Sequence, residues 1–262
     1  MKSTYLELVL ALAGRQVHES SQTSFLRWFW LFLGPLLQLG IYIIVFGVLF
    51  QGRFNVVEGE TPWDYALGVF LGMIFVQVVT EPLGTASGLV HHQAALVKKN
   101  VFPRFALPLA RTAAQGVRLL CTLCLWAAAL LFVAPERVGS LLFLPLLLPP
   151  LILIALGLNA GISALSVYLG DFGQVVQVLS QVVFWSSGVF YSRAVVEAFP
   201  AIWTFLQWNP VLHVIEESRH AMLWGTPVDY GYLGLSYGIA LGVFLLGFAT
   251  FRWLERGMTD FI

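Results

Sequence analysis

The sequence predicts an all-α integral membrane protein with six transmembrane helices. Hydrophobic residues make up 58% of its 262 residues and charged residues only 11%, whereas a soluble domain carries about 25% charged residues. Apolar runs of about 20 residues, the length that crosses a bilayer core about 30 Å thick, recur between the charged positions. These observations together predict a single membrane domain over residues 1–262.

The elements follow one another along the chain in a simple order. Residues 4–20 predict an amphipathic helix in the membrane interface, because apolar residues recur there at helical spacing while the charged ones fall elsewhere. Between the last two spans, Val195–Trp208 is apolar but short and interrupted by Pro200, which indicates a re-entrant or short helical element. The predicted spans are about 31–50, 65–90, 106–133, 140–168, 172–191 and 231–251.

Lysine and arginine are distributed unevenly between the two ends of these spans. With the N-terminus inside, ten fall on one side and four on the other, and the ten include Arg111 and Arg118. The positive-inside rule therefore predicts cytoplasmic termini for a protein of the cell inner membrane. The formal net charge is zero, so no overall basic field favours nucleic acid as a partner. No cleavable signal peptide is expected, because charged residues are scattered through the first thirty positions.

The sequence contains none of the common catalytic motifs. It has no G-x-x-x-x-G-K-[ST] phosphate loop, so any ATP with its Mg²⁺ is expected on another polypeptide. H-E-x-x-H and G-x-S-x-G motifs are also missing. Cys121 and Cys124 are too few for a structural zinc site. We therefore expect a non-enzymatic chain without a cofactor or metal of its own.

A short polar gap between the second and third spans is the most informative segment. Residues Leu96 to Pro108 contain a Leu-Val-Lys-Lys stretch, a Phe-Pro-Arg triplet and a further proline. In that order they resemble the cytoplasmic loop of the ABC-2 permeases that export polysaccharides. Asn209 to Arg219 resembles the pattern that precedes the last helix in that family, and residues 25–37 resemble its entry to the first span.

The resemblance implies a function and a set of partners. It implies a homodimer of this chain, joined by two copies of a cytoplasmic ATPase, that moves a lipid-linked polysaccharide of capsule, O-antigen or teichoic acid type. Periplasmic or outer-membrane export components would be further partners. The gap would be the helix that couples to the ATPase, although such cations can also simply set topology or bind anionic headgroups. The implied coupling residues are Leu96, Val97, Lys98, Lys99, Phe102, Pro103 and Arg104.

Aromatic residues near one end of the spans are candidates for a translocation path or gate. A conduit for sugar polymers favours aromatic rings and few fixed charges, although an interfacial aromatic belt gives the same composition. Glu81 is a separate functional candidate, because an ionisable group within an apolar run is costly unless it lies near the boundary. The path candidates are Trp63, Tyr65, Trp185, Phe190, Tyr191, Trp203 and Trp208.

Other functions remain open from the sequence. An ABC-2 exporter of drugs or lipids would share the spans and the re-entrant element. An ion-coupled transporter would need paired intramembrane charges and repeated halves. A membrane-embedded enzyme would need a compact cluster at one membrane face, for which His213, Glu216, Glu217 and His220 are the nearest candidates. Asp171 is expected to cap the fifth span.

Overall fold

The part of the chain that is described is predominantly α-helical. The computed structural model describes residues 2–19, 27–50, 52–54, 56–94 and 102–258, and contains no strand among them. Two π-helical segments, Ile43–Leu49 and His220–Trp224, extend α2 and α9, and a 3₁₀ segment, Pro135–Phe143, leads into α5. The helices are α1 (Lys2–Glu19), α2 (Arg27–Tyr42), α3 (Pro62–His92), α4 (Ala106–Val133), α5 (Leu144–Tyr168), α6 (Phe172–Ser186), α7 (Arg193–Glu197), α8 (Pro200–Leu206), α9 (Pro210–Arg219) and α10 (Tyr230–Leu254).

Four helical segments of the described chain are long and apolar enough to cross a membrane: α3, α4, Pro135–Tyr168 and α10. A shorter apolar stretch, Leu33–Phe46, lies within the first predicted span. The 15 residues of α6 cover about 22 Å at a rise of 1.5 Å per residue. The all-α membrane class is confirmed, and the count of six spans stays a prediction.

Helix α6 ends earlier than the sequence indicated. The fifth span was expected to reach residue 191, but the helix stops at Ser186, and Gly188 two residues later has φ +73°. This left-handed backbone favours glycine and turns the chain out of the helix. At the other end Asp171 occupies the N-cap position as expected, but its side chain makes no capping hydrogen bond.

Helix α3 lies at the centre of the bundle. It contacts α2, α4, α5, α6 and α9. Of the residues in its most apolar 18-residue stretch, 78% are buried. The indole of Trp126 on α4 donates to the backbone oxygen of Leu67 over 3.0 Å. Since lipid tails are as apolar as leucine, close packing rather than escape from water holds such a helix between its neighbours.

Helices α5 and α10 approach each other closely. A Cβ placed on Gly157 would lie 2.6 Å from the Cα of Phe244, and one on Gly161 would lie 3.3 Å from the Cα of Gly247. Only small residues allow two backbones to approach this closely, as in small-xxx-small contacts between membrane helices. These glycines therefore fix α10 against the bundle.

The N-terminal helix packs on protein. Val9 and Ala13 of α1 are buried against Ala106 and Ala110 at the start of α4. The apolar face that was expected to lie in the membrane interface thus contacts α4. Leucines on the remaining surface, Leu6 and Leu10, are exposed.

Candidate functional site

The two ends of the central helix α3 lead to two candidate regions. At its C-terminal end the chain passes through the predicted coupling segment, of which Leu96, Val97, Lys98 and Lys99 lie outside the described residues. We use the name elbow for Phe102, Pro103 and Arg104, where the description resumes. The elbow leads directly into α4.

Phe102 joins two groups of packed side chains. It is half-buried and contacts one cluster shared by α1 and α4, which contains Val9 and Ala106. It also contacts a second cluster that contains Leu107 of α4 and Phe251 of α10. The ring therefore connects three helices at one end of the bundle.

The next two residues of the elbow form a turn and a link to the C-terminal end of α10. The oxygens of Pro103 and Arg104 accept from the backbone N–H groups of Ala106 and Leu107 over 2.9 and 3.1 Å. The guanidinium of Arg104 donates to the backbone oxygen of Glu255. The elbow is thus held to both the third and the last predicted spans.

At the opposite end of α3 lies a region that we call the cap, residues 187–229. It contains α7, α8 and α9 and joins α6 to α10. Tyr65, in the first turn of α3, donates its hydroxyl to the oxygen of Phe190 over 2.9 Å. The cap is therefore attached to the central helix at the end far from the elbow.

Arg219 is the centre of the cap. The side chain is fully buried, and its guanidinium lies 4.1 Å from the ring centroid of Phe54. It donates to the oxygens of Gly188, Val189 and Tyr191 over 2.9, 2.5 and 3.1 Å. One residue thereby pins the turn that follows α6 onto α9.

Two carboxylates beside Arg219 extend this network. Glu216 accepts from Arg219 over 3.2 Å and from the backbone N–H of Arg193 over 2.9 Å. Glu217 accepts from the Arg193 guanidinium over 2.9 Å and from the N–H of Asp229 over 2.7 Å. The two positive and two negative side chains balance, as burial of charge requires. Together they fasten the start of α7 and the start of α10 to α9.

The charged residues considered for an enzyme have separate structural partners. Glu216 and Glu217 are engaged in the arginine network just described. The Nδ1 of His220 lies 2.6 Å from the hydroxyl of Thr226, and the Nε2 of His213 lies 2.8 Å from the oxygen of Gln207. All four side chains thus have partners within the cap.

The predicted path aromatics fall into two groups. Tyr65 is buried, and Phe190 and Tyr191 are half-buried in the turn held by Arg219. Trp203 is half-buried near His213 and Tyr232. Trp63, Trp185 and Trp208 are exposed. On α8 and its flanks Phe199, Ile202 and Phe205 are also exposed at a spacing of three residues and continue to Trp208, a stripe that the sequence analysis did not select.

Two features escaped the sequence analysis. Arg219 entered the sequence analysis only as the end of the stretch Asn209 to Arg219, and nothing in its local pattern indicates complete burial. Arg111 and Arg118 were counted with the positive charges of the inner side, and both lie on α4, within the third predicted span, where Arg118 is paired with Glu81 of α3. Without these two the positive charges of the predicted inner side number eight against four, so the predicted direction is unchanged.

The long apolar helices of the described residues are those of a polytopic membrane protein. The model of the ABC-2 type transporter family matches residues 7–223, and the chain belongs to this family. It is therefore a membrane-spanning subunit of an ABC-2 type transporter.

Curated relatives match the chain nearly from end to end. It is 22% identical over 264 residues to the O-antigen export system permease protein RfbA of Klebsiella pneumoniae, covering 98% of this chain and 95% of that protein. A second Klebsiella pneumoniae RfbA is 21% identical with the same coverage. The capsule polysaccharide export inner-membrane protein BexB of Haemophilus influenzae is 23% identical, covering 96% of this chain and 92% of that protein.

Proposed function

We propose that this protein is the permease subunit of an ATP-driven exporter that moves a lipid-linked polysaccharide across the cytoplasmic membrane. The observation that carries the proposal is the near-complete alignment with export permeases for O-antigen and capsule polysaccharide. The Lys-Lys and Phe-Pro-Arg motifs of the elbow region agree with it. The same combination favours polysaccharide over drugs or bulk lipids as the cargo.

The energy is supplied by a separate ATPase that holds ATP and Mg²⁺. Two copies of this ATPase and two copies of the chain form the working assembly. The chain itself acts without catalysis. The segment of Leu96 to Lys99 docks on the ATPase, and Phe102 to Arg104 pass its displacement to α1, α4 and α10, whose side chains and backbone the elbow contacts.

The cap acts as the gate on the far side of the membrane. Its exposed stripe, together with Trp63 and Trp185, offers apolar ring faces to a passing glycan, which presents flat C–H surfaces. Tyr65, Phe190 and Tyr191 hold the gate to α3 rather than contact the cargo directly. Because Arg219 and its partners link α7, α9 and α10, the gate moves as one unit with the last span.

In the proposed topology both termini and the elbow lie in the cytoplasm. In this arrangement α2 with its π-helical extension is the first span and α6 is the fifth, so that six crossings result. The cap then faces the periplasm, where it meets further export components. The excess of positive charge on the elbow side supports this orientation.

The proposal is tested by purification and ATPase assays. The full chain, isolated from its native membrane, is expected to bring down a protein with a Walker motif. ATP hydrolysis by that complex should rise when lipid-linked glycan is added, and should not rise with the carrier lipid or the free glycan alone. A complex whose hydrolysis responds only to drugs or ordinary phospholipids would contradict polysaccharide export.

A further inference from the structure

A polar groove runs between α3 and α4 at the depth of the membrane-spanning segments. On α4, Arg111, Gln115, Arg118 and Thr122 recur every three or four residues and therefore share one face. On α3, Gln77, Glu81 and Thr85 do the same at spacings of four. The α4 stripe extends about 16 Å along the helix at 1.5 Å per residue. Polar residues on both faces mark a path or a binding site rather than a surface for lipid tails.

The two faces meet through charged and polar contacts. Arg118 donates to the carboxylate of Glu81. The Nε of Arg111 donates to the Thr85 hydroxyl over 3.2 Å. A pocket of about 60 Å³ opens beside these contacts, and its lining includes Gln77, Glu81, Gln115 and Arg118. The pairing therefore closes only part of the groove.

The groove retains unused capacity to donate hydrogen bonds. Half of the Arg118 side chain is exposed, against 28% for Glu81. A guanidinium carries five N–H donors, and among the described residues Arg118 uses one nitrogen, towards Glu81. Both amide atoms of Gln115 are buried yet make no hydrogen bond to any described residue. An unpaired buried amide is destabilising, so a ligand that satisfies it gains affinity.

The charge of the groove selects the ligand. The two facing stripes contain Arg111, Arg118 and Glu81, which leaves one positive charge in excess, and of these three Arg118 and Glu81 line the pocket. Arginine forks match the oxygens of phosphate groups in a bidentate manner. About 18 Å separates Arg118 from the start of α4, so the ligand must reach well into the bilayer, as a phosphate attached to a lipid chain can do.

The geometry points to a binding site in this groove for the phosphate group of the lipid carrier, in which Arg118 turns from Glu81 to the phosphate and Gln115 donates a further hydrogen bond. This inference rests on the proposed function for the identity of the lipid. Glu81 acts here as a competitor: it occupies Arg118 while the groove is free of ligand and keeps it from binding ordinary phospholipids tightly.

The competition predicts that substitutions of Arg118 and of Glu81 change the affinity for the carrier in opposite directions. Binding of a fluorescent polyprenyl diphosphate to the purified full chain in a phosphate-free non-ionic detergent is the measurement. Arg118→Gln should weaken binding at least about tenfold, which corresponds to about 1.4 kcal/mol. Glu81→Gln should tighten it several-fold, because the competing carboxylate is gone. Arg53→Gln, on the exposed loop before α3, is the matched control and should bind like the wild type.

A purely structural ion pair gives a different result, since both variants would then lower thermal stability and weaken binding together. That outcome, or unchanged binding by Arg118→Gln, overturns the inference. Arg118→Lys keeps the charge, and a well-folded Lys variant with weakened binding supports recognition by the guanidinium fork. Should Arg118→Gln fail to fold, the tightening by Glu81→Gln carries the test.

Competitors separate the possible sources of the phosphate. Unlabelled polyprenyl diphosphate should displace the probe, whereas polyprenol of equal length should not. Displacement by polyprenol shows that the phosphate is not recognised and overturns the inference. Equal displacement by phosphatidylglycerol or inorganic phosphate assigns the groove to phosphate in general and overturns its role for the carrier. Binding is measured without ATPase or glycan, so it can fail while glycan-stimulated hydrolysis persists, and the reverse.

Discussion

His213 lies in the cap in surroundings that disfavour its protonated form. Its ring stacks on Tyr232 with centroids 4.4 Å apart, and its Nδ1 is buried without a hydrogen-bond partner among the described residues. Burial, aided by the positive charge of Arg193, lowers the pKa of His213 below its ordinary value. The folded cap thus binds a proton less readily than the unfolded chain does.

This difference predicts that the cap loses stability in acid. The contribution is complete above the unfolded pKa of about 6.5 and is lost as the pH falls from there through the lower folded pKa. The melting temperature of the wild type should therefore fall more between pH 7.5 and pH 5.5 than that of His213→Gln, whose amide can still donate to Gln207. His91→Gln, at an exposed position, is the control. Equal losses in all three proteins would exclude His213 as the cause.

Arg219 should be the least replaceable side chain of the cap. Arg219→Met leaves Glu216 buried without its partner and frees three backbone oxygens of the turn after α6. Loss of one member of a buried ion pair costs about 3 to 5 kcal/mol. Thermal unfolding in detergent should show a large decrease, whereas Arg252→Gln, which removes an exposed pair, should change little. Similar small decreases in both variants would contradict this role.

At the scale of elements, the contact of α5 with α10 depends on glycine. Gly157→Ala should lower the melting temperature, because its Cβ would meet backbone atoms of α10 at 2.6 Å. Gly238→Ala is a matched control on α10, since its Cβ would meet no atom within 4 Å. That change should be neutral or stabilising by up to about 1 kcal/mol. Equal behaviour of the two variants would show that the close approach is unimportant.

The predicted coupling segment and the elbow allow coupling to be tested separately from folding. Reversing charge with Lys98→Glu and Lys99→Glu should abolish glycan-stimulated ATP hydrolysis and export while the melting temperature is retained. Phe102→Ala is less clean, because the ring contacts two packed clusters and its truncation leaves a cavity. Phe102→Leu retains most of the volume and is the better variant. Normal export by the charge-reversal protein, with assembly unchanged, would remove the coupling role.

Length and composition were sufficient to find the long helices. The runs that became α3, α4 and α10 are apolar enough to stand out, and Asn209-Pro210 begins α9 with a side-chain cap. The early end of α6 could not be predicted from the sequence, because the apolar run continues past the turn at Gly188. The central position of α3 and the burial of Arg219 depend on contacts between distant segments. The Glu81–Arg118 pair, which joins α3 to α4, also depends on such a contact.

For the whole molecule, the elbow and the cap lie at opposite ends of one central helix. This separation agrees with a transporter that is coupled to its ATPase on one side of the membrane and releases its cargo on the other. Reconstitution of the chain with its ATPase and lipid-linked glycan in proteoliposomes, with appearance of glycan across the bilayer as the readout, tests this directly. Transfer should require both the ATPase and ATP hydrolysis. Transfer by the chain alone, or at the same rate without ATP, would contradict the export function.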